Sequence, residues 1–455
     1  MRIVFINILL LGYAAQLYSQ QHESESLEKY VRLGIENNLR LKQKESDWKE
    51  ANMQLKQAKG LFYPDISFNA RYSVADGGRI IEFPVGDLLN PVYSTLNMLT
   101  ASESFPMIEN EEFPFLRPTE HETKLRLVQP LFNTDIFYNK KISENTLDIK
   151  YSDMQSYKRL LVFEIKQAYF NYMKAMELLH LLNHTIPVLE ENLRVNESLF
   201  QNDKVTRDVI LRSESEISRL KENIASAEGS TQVASAYFNF LLNRPLDDTI
   251  IAVVSELPLA HADIGNYMET AVENREEIDK LEHYSELANN NLGRERSTRF
   301  PEVFAMVDYG FQGEEYEFRS DDDFIIASFI LKWDLFKGFQ EKSQIAEAKI
   351  MEEKVHFQIE EAREMIRLEV MNTWHDYLAS RKKLEASEDN SATASEIFRM
   401  INKKYKQNQA SLLEFMDARN NMTMAKQNVI INSYDAMIKY AAFEKAAGLY
   451  EFQNE

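Results

Sequence analysis

At 455 residues the chain is long enough for two or three globular domains, yet Gly and Pro number only 13 and 11 and charged residues make up 27%, a composition that suits long helices better than a compact mixed fold. A net charge of -20 argues against nucleic acid or an anionic membrane surface as partner. The absence of cysteine excludes disulfides, thiolate metal sites, a cysteine nucleophile and a lipidated N-terminal cysteine.

Arg2 precedes the apolar run Ile3 to Leu11, interrupted by Asn7, and Ala14 and Ala15 follow. This reads as a secretory signal over residues 1–20, with Ser19-Gln20 as the cleavage region, and it is too short to span a bilayer. No later run reaches about eighteen apolar residues. The mature chain is therefore either exported and soluble or crosses a membrane as a barrel.

Leu27 to Lys59 has helical period and should stop before Pro64, because the residue ahead of a proline avoids the helical region. Ile66 to Ala75 alternates strictly. Ile66, Phe68, Ala70, Tyr72 and Val74 fall on one face, Ser67, Asn69, Arg71 and Ser73 on the other. With the faces swapped, Arg71 would point into lipid at a cost of about 2–4 kcal/mol. A loop, Asp76 to Glu120, carries five prolines, with short turns expected at Leu88 to Asn90 and Leu96 to Leu99. A second strand, about Glu122 to Gln129, runs through Pro130 to Asn133 and Thr134, either of which can cap a helix. Asp135 to Gln201 then reads as one helix of about 100 Å, kinked or split at Pro187. Asn202 to Thr206 forms a turn, and Val209 to Leu241 runs back.

The same order then recurs. Ala271 to Arg299 repeats the first helix, and Pro301 matches Pro64 at an offset of 301 − 64 = 237. Val303, Ala305, Val307, Tyr309 and Phe311 share a face opposite Asp308 and Gly310. In the partner strand, Phe324 to Trp333, the apolar face is Ile325, Ala327, Phe329, Leu331 and Trp333, and the other face is only partly polar. The connecting loop, 313–323, is short and acidic, without the alternating carboxylates of a calcium loop. The strand meets Gly338 and the long helix Phe339 to Lys406. Its aromatics align with the first copy at 377 − 172 = 205. The turn Gln407 to Ser411 and the helix Leu412 to Ala447 complete the copy. The expected organisation is thus a first repeat over 21–250 and a second over 251–455. Each holds a helix, two strands joined by a loop (76–120 or 313–323) and a long helical hairpin.

The chain resembles the TolC-type outer-membrane efflux family. The resemblance rests on Ile35-Glu36-Asn37-Asn38, Tyr63-Pro64, Val128-Gln129-Pro130-Leu131-Phe132, Phe240-Leu241-Leu242-Asn243-Arg244-Pro245 and the turn Ala410 to Arg419, in this order across two copies. Phe83 to Tyr93 resembles loops of the family's Bacteroidetes members. At the turns the family usually has Gly where Asp203 and Asn408 stand here.

The resemblance implies a mainly α fold with a transmembrane β part. In it a homotrimer joins a long coiled-coil barrel to one twelve-stranded β-barrel, four strands per subunit. It implies an outer-membrane location with most of the chain in the periplasm. It also implies a passive exit duct for multidrug efflux or type I secretion, working with a periplasmic adaptor and an RND or ABC pump. Four strands cannot close a barrel alone, and an open edge in lipid leaves backbone groups unpaired.

By the resemblance, Glu414 and Asp417, three apart on one helical face, line the closed periplasmic entrance, with Asp208 as the nearest acid of the first repeat. Arg207 or Arg212 would pair with acids there. Six carboxylates near one axis would raise each other's pKa values. Val205, Thr206, Ala410 and Ser411 are the adaptor-docking candidates. Pro64, Pro130, Pro301 and Gly338 mark the strand–helix junctions. His180 and His184 share a helical face and could bind a metal, but no acidic ligand stands between them as in a zinc-protease motif, and no metal site is expected. Without a phosphate loop, nucleotide turn or nucleophile elbow, no enzyme and no cofactor is expected. The competing reading is an exported, soluble coiled-coil scaffold or adhesin.

Overall fold

The computed structural model describes residues 27–251, 257, 264–407 and 409–450. The signal expected over 1–20 and the turn residue Asn408 lie outside the described residues. Residues 27–37 are helical (α1). There follow α2 (Leu39–Gly60), β1 (Asp65–Val74), β2 (Ile80–Phe83), α3 (Val85–Thr100), β3 (Glu111–Pro114) and β4 (Thr119–Phe132). The first hairpin is α4 (Thr134–Gln201) and α5 (Arg207–Leu241). Then come α6 (Ile264–Asn274), α7 (Glu276–Ser297), β5 (Glu302–Gly313), β6 (Asp323–Lys332), α8 (Gln340–Lys406) and α9 (Leu412–Ala446). The chain divides into two compact units. One, built from the chain up to Met53 with Glu144–Asn289 and the chain from Ile350, is helical; the other, Gln54–Ser143 with Asn290–Lys349, holds the described strands.

The helical unit has two aromatic cores that repeat one another at the sequence offsets. In the first, Leu161, Ile165, Tyr169 and Phe238 are buried; in the second, Ile366, Val370, Trp374 and Phe443, each 205 positions on. Tyr30 meets Phe238 edge-on at 5.1 Å, and Tyr267, 237 positions on, meets Phe443 edge-on at 5.1 Å. Helix α9 feeds both cores, Tyr434 and Met437 entering the first and Phe443 and Ala446 the second. Such burial, about 1.5–3 kcal/mol per large side chain, holds long helices whose own propensity is only moderate.

The helix expected over Leu27 to Lys59 is broken at Asn38, and that over Ala271 to Arg299 at Arg275, again 237 apart. Asn38 ends one helix and caps the next: its Oδ1 accepts from the Arg40 and Leu41 amides, and its Nδ2 donates to the Leu241 carbonyl at 2.9 Å. Arg275 occupies the equivalent break and pairs with Glu277 and Glu369. The turn residues behave as their types require. Asp203 and Asn243 adopt φ of 53° and 52°, and Gly448 one of 71°. The amide after each bonds back to close the helix, Lys204 to Leu199 and Arg244 to Asn239 in the first repeat, and Leu449 to Glu444 in the second.

Two sequence expectations are corrected here. Helix α4 runs unbroken through Pro187, so of the kink or split expected there the split does not occur. The 76–120 segment is not a loop with short turns: it holds a β2–β3 hairpin and a 16-residue helix, α3, with Pro91 inside. Asn90 and Asn97 explain the order. Each amide gives and takes a hydrogen bond with one residue of the returning chain, Ile108 and Phe105 respectively. Because these asparagines face inward, the stripe Leu88, Val92 and Leu99 is left exposed.

Buried and half-buried charges tie the helices together. Arg159 grips Glu276 through two bonds of 2.8 Å. Asp153 is held by Lys44 and Lys280. Arg275 reaches Glu277 at 2.7 Å and also Glu369, which Lys445 approaches at 3.3 Å. Burial alone would raise both glutamates, but the hydrogen bonds and charge of Arg275 outweigh it and hold both below the usual range, helped by Lys445 at Glu369. A carboxylate lowered in the folded state adds stability above its unfolded pKa and loses it as pH falls through the folded value. Melting temperature should therefore drop as pH falls below about 4.5. In Arg275→Met the stability loss at pH 7 should be about 3 kcal/mol. The stranded glutamates are then raised by burial, so part of that loss should return between pH 7 and pH 5; thermal melts at three pH values check both outcomes.

Candidate functional site

Strand pairing sets the geometry of the sheet unit. The four long strands lie in the order β1-β4-β5-β6, all antiparallel, with β1 and β6 as open edges and no closure. In this register Phe68, Leu125, Tyr309 and Ile325 stand side by side across the sheet, and so do Ile66, Leu127, Val307 and Ala327. Residues directly opposite share a face, so four alternating sequences merge into one continuous apolar surface. Among the described residues nothing covers it: Phe68 is 68% exposed, Ile325 72% and Phe329 81%. The strands are 10 to 14 residues long, enough for a tilted membrane strand.

The opposite face is charged at its centre. Arg126 holds Asp308 through two bonds of 2.8 Å, and Lys124 approaches the same carboxylate at 3.3 Å and Glu122 at 2.5 Å. Arg71 lies 3.6 Å from Glu122, and Gln312 donates to Glu120 at 2.9 Å. Gly310 sits in the middle of this ladder, where a Cβ would collide with the Thr123 carbonyl oxygen and the Lys124 side chain. Phe324, Ile326 and Ile330 of β6 belong to this face, which is the partly apolar exception the sequence indicated. At one end of the apolar face His121 is fully buried under Tyr316 and Phe318, with neither ring nitrogen bonded. At the other end Tyr63, Phe300, Trp333 and Phe336 are exposed. No described helix is long and apolar enough to cross a membrane.

The junction residues divide. Pro64 and Pro301 each stand between a helix and the strand that follows. Pro130 does not mark the junction; it lies inside β4, beside a register shift at Leu131. It is tolerated because β1 pairs only as far as Val128, so β4 is locally an edge. The true cap is Asn133, whose Oδ1 accepts the Ile136 amide at 3.2 Å. The second strand does not run straight into its helix: residues 333–339 intervene, with Gly338 and Phe339 at φ of 60° and 65°.

At the hairpin tips, Glu414 and Asp417 are exposed on α9, facing away from buried Phe415 and Ala418. Glu414 completes a capping box: it accepts from the Ser411 amide at 2.7 Å and hydroxyl at 2.9 Å, while its own amide donates to Ser411 Oγ. Those bonds hold its carboxyl below the usual range, the reverse of the direction expected for a crowded acid in an assembled entrance. Asp417 accepts from Asn421 at 3.1 Å. Asp208 bonds Thr206 and pairs with Arg212 on its own helix at 3.5 Å, and among the described residues no bond joins it to Glu414 or Asp417. Val205 is half-buried and Thr206, Ala410 and Ser411 lie at or beside the helix starts.

Beneath the tips is a set of residues the sequence reading passed over. Glu216 and Arg419 form a buried 2.7 Å pair between α5 and α9. Asn196 gathers Asn192, Ser213 and Tyr405, whose ring stacks on Phe415 at 4.9 Å. Glu216 and Arg419 stand at helical-core spacing inside otherwise apolar faces, which is the pattern that would have exposed them.

Residues 267–449 match the model of the outer membrane efflux protein family. Among solved structures, the CmeC outer membrane channel of Campylobacter jejuni superposes with a TM-score of 0.75 at 16% identity, over 93% of this chain and 86% of that one. The open-state MtrE channel of Neisseria gonorrhoeae gives 0.74 at 18%, over 93% and 89%. The outer membrane protein VceC of Vibrio cholerae gives 0.74 at 13%, over 94% and 98%. No curated protein matches the sequence. Residues 267–449 thus match the outer membrane efflux protein family in sequence, and over most of its length the chain has the fold of these outer membrane channels.

Proposed function

We propose that the chain is one subunit of a homotrimeric outer-membrane exit duct. In this reading three sheets join edge to edge into one twelve-stranded barrel, and the long helices form the periplasmic conduit. The observation that carries it is the two-faced open sheet: a continuous exposed apolar surface on one side, an ion-pair ladder on the other, and unpaired edges at β1 and β6. In lipid each unpaired backbone group costs several kcal/mol, and assembly with further copies removes that cost. An exported scaffold or adhesin would have to keep Phe329, Ile325 and Phe68 in water.

The duct conducts passively and draws its energy from a periplasmic adaptor and an inner-membrane pump of RND or ABC type, in multidrug efflux or type I secretion. Val205, Thr206, Ala410 and Ser411 are the proposed adaptor contacts. Glu414, Asp417 and Asp208 line the entrance, and the 76–120 segment stands on the extracellular side. The N-terminal signal carries the chain out of the cytoplasm.

The sheet reading predicts that Phe329→Arg, on the apolar face, costs about 2–4 kcal/mol and abolishes recovery in outer-membrane fractions. Ile326→Arg, on the charged face beside Asp308, should still yield a detergent-extracted trimer. Recovery of Phe329→Arg as a stable membrane-bound trimer would refute the face assignment. The entrance is tested by Glu414→Gln with Asp417→Asn. Gln keeps the capping box while removing the charge, so helix content should hold and single-channel conductance in planar bilayers should rise. Unchanged conductance removes the entrance role.

A further inference from the structure

Among the eight histidines, His180 and His184 stand one turn apart on α4, with their Nε2 atoms 3.0 Å apart and their rings near perpendicular at 4.2 Å. Both are exposed, and both line a concavity of about 300 Å³ between α4, α8 and α9. Glu177 stands one turn before His180 on the same face, while Ser391 and Lys426 complete the polar lining. A divalent ion holding two imidazoles at about 2.0–2.1 Å and a near-right angle sets their nitrogens about 3 Å apart. The pair therefore already has the bite of two adjacent ligands.

The position matters as much as the spacing. Pro187 has no amide to give to the Asn183 carbonyl, so α4 lacks a backbone bond just after this turn. The Thr185 hydroxyl also bonds back to the Leu181 carbonyl at 2.9 Å rather than to any neighbouring helix. A cation bridging positions 180 and 184 would clamp the turn next to the one the proline weakens.

We propose that His180 and His184 form a solvent-accessible site for an imidazole-preferring divalent transition metal, Cu2+ or Zn2+, that stiffens α4 at Pro187. The described residues gather no group of three or more His, Cys, Asp or Glu side chains for a metal. The site thus offers two nitrogens, with water and, after a rotamer change, the Glu177 carboxylate in the remaining positions. Such a site exchanges its ion freely. Lys426 opposes the cation, which keeps affinity modest.

The test uses the full-length, detergent-solubilised protein with Cu2+ or Zn2+ alone. Cu2+ titration followed by electron paramagnetic resonance should show one saturable two-nitrogen signal per chain. His184→Gln should weaken that binding about tenfold or more, and Lys426→Ala should tighten it about threefold. Zn2+ should slow amide hydrogen exchange over residues 180–190 in the wild type and leave His180→Gln unaffected. Both histidines are exposed, so these variants should fold. A signal unchanged in His180→Gln and His184→Gln overturns the proposal, as does unchanged exchange at saturating Zn2+. Binding of inorganic phosphate that Lys426→Ala abolishes would instead identify an anion site and also overturn it. None of these readouts depends on transport.

Discussion

Side-chain alternation in the four-stranded sheet is the constraint from which the rest follows. Each strand sends every second residue to one side, and the antiparallel register lines those residues up across all four. A slip of one residue would bring Arg126 and Asp308 to the apolar side and Phe68 and Phe329 to the charged one. The Arg126–Asp308 pair, bonded twice and approached by Lys124, penalises such slippage, because each charge would lose its partner. Gly310 lets β5 lie close enough to β4 for that ladder to form.

The helical unit is stabilised differently. Its two cores reuse one packing solution, Tyr30 on Phe238 and Tyr267 on Phe443, and differ at the helix break. Asn38 meets the break by capping, a local device. Arg275, itself buried, meets it with charge, bringing half-buried Glu369 of α8 and Lys445 of α9 into one cluster. In the first copy the corresponding acid, Glu164, has no such arginine, and burial raises its carboxyl against the pull of Arg40 and Lys445. Duplication preserved the hydrophobic contacts and let the polar ones diverge.

Much of this was legible in the sequence because periodicity reports faces. The strands stand at 65–74, 119–132, 302–313 and 323–332, each within a few residues of the alternating runs at Ile66, Glu122, Val303 and Phe324. The resemblance carried by the order of motifs is matched by the family model over residues 267–449 and by the fold of the solved channels over most of the chain. What stayed hidden depends on tertiary partners. Pro187 looked like a break, but the surrounding buried residues Leu182 and Leu189 hold the helix on both sides of it. Proline density in 76–120 suggested loop, whereas Asn90 and Asn97 order a helix through bonds to chain 8 to 18 residues away. Pro130 read as a boundary because pairing that ends at Val128 cannot be seen in one strand alone. At the tips, spacing placed Glu414 and Asp417 on one face, but the capping role of Glu414 competes with its proposed role at the entrance, and spacing alone does not rank the two.

The exposed sheet also bears on biogenesis. A single chain has its aromatic cores complete within the helical unit, but among the described residues nothing covers the apolar face of its sheet or pairs with its edges. Helices rich in local contacts form quickly, whereas in the proposed duct the sheet needs lipid and neighbouring copies and must wait for both. Before that meeting, β1 and β6 are templates for the wrong neighbour, and crowding of newly exported chains would favour clumping over insertion. If the chain assembles as proposed, supply rate and chaperone capture after export would limit how much of it reaches its working form, more than the intrinsic stability of any one subunit.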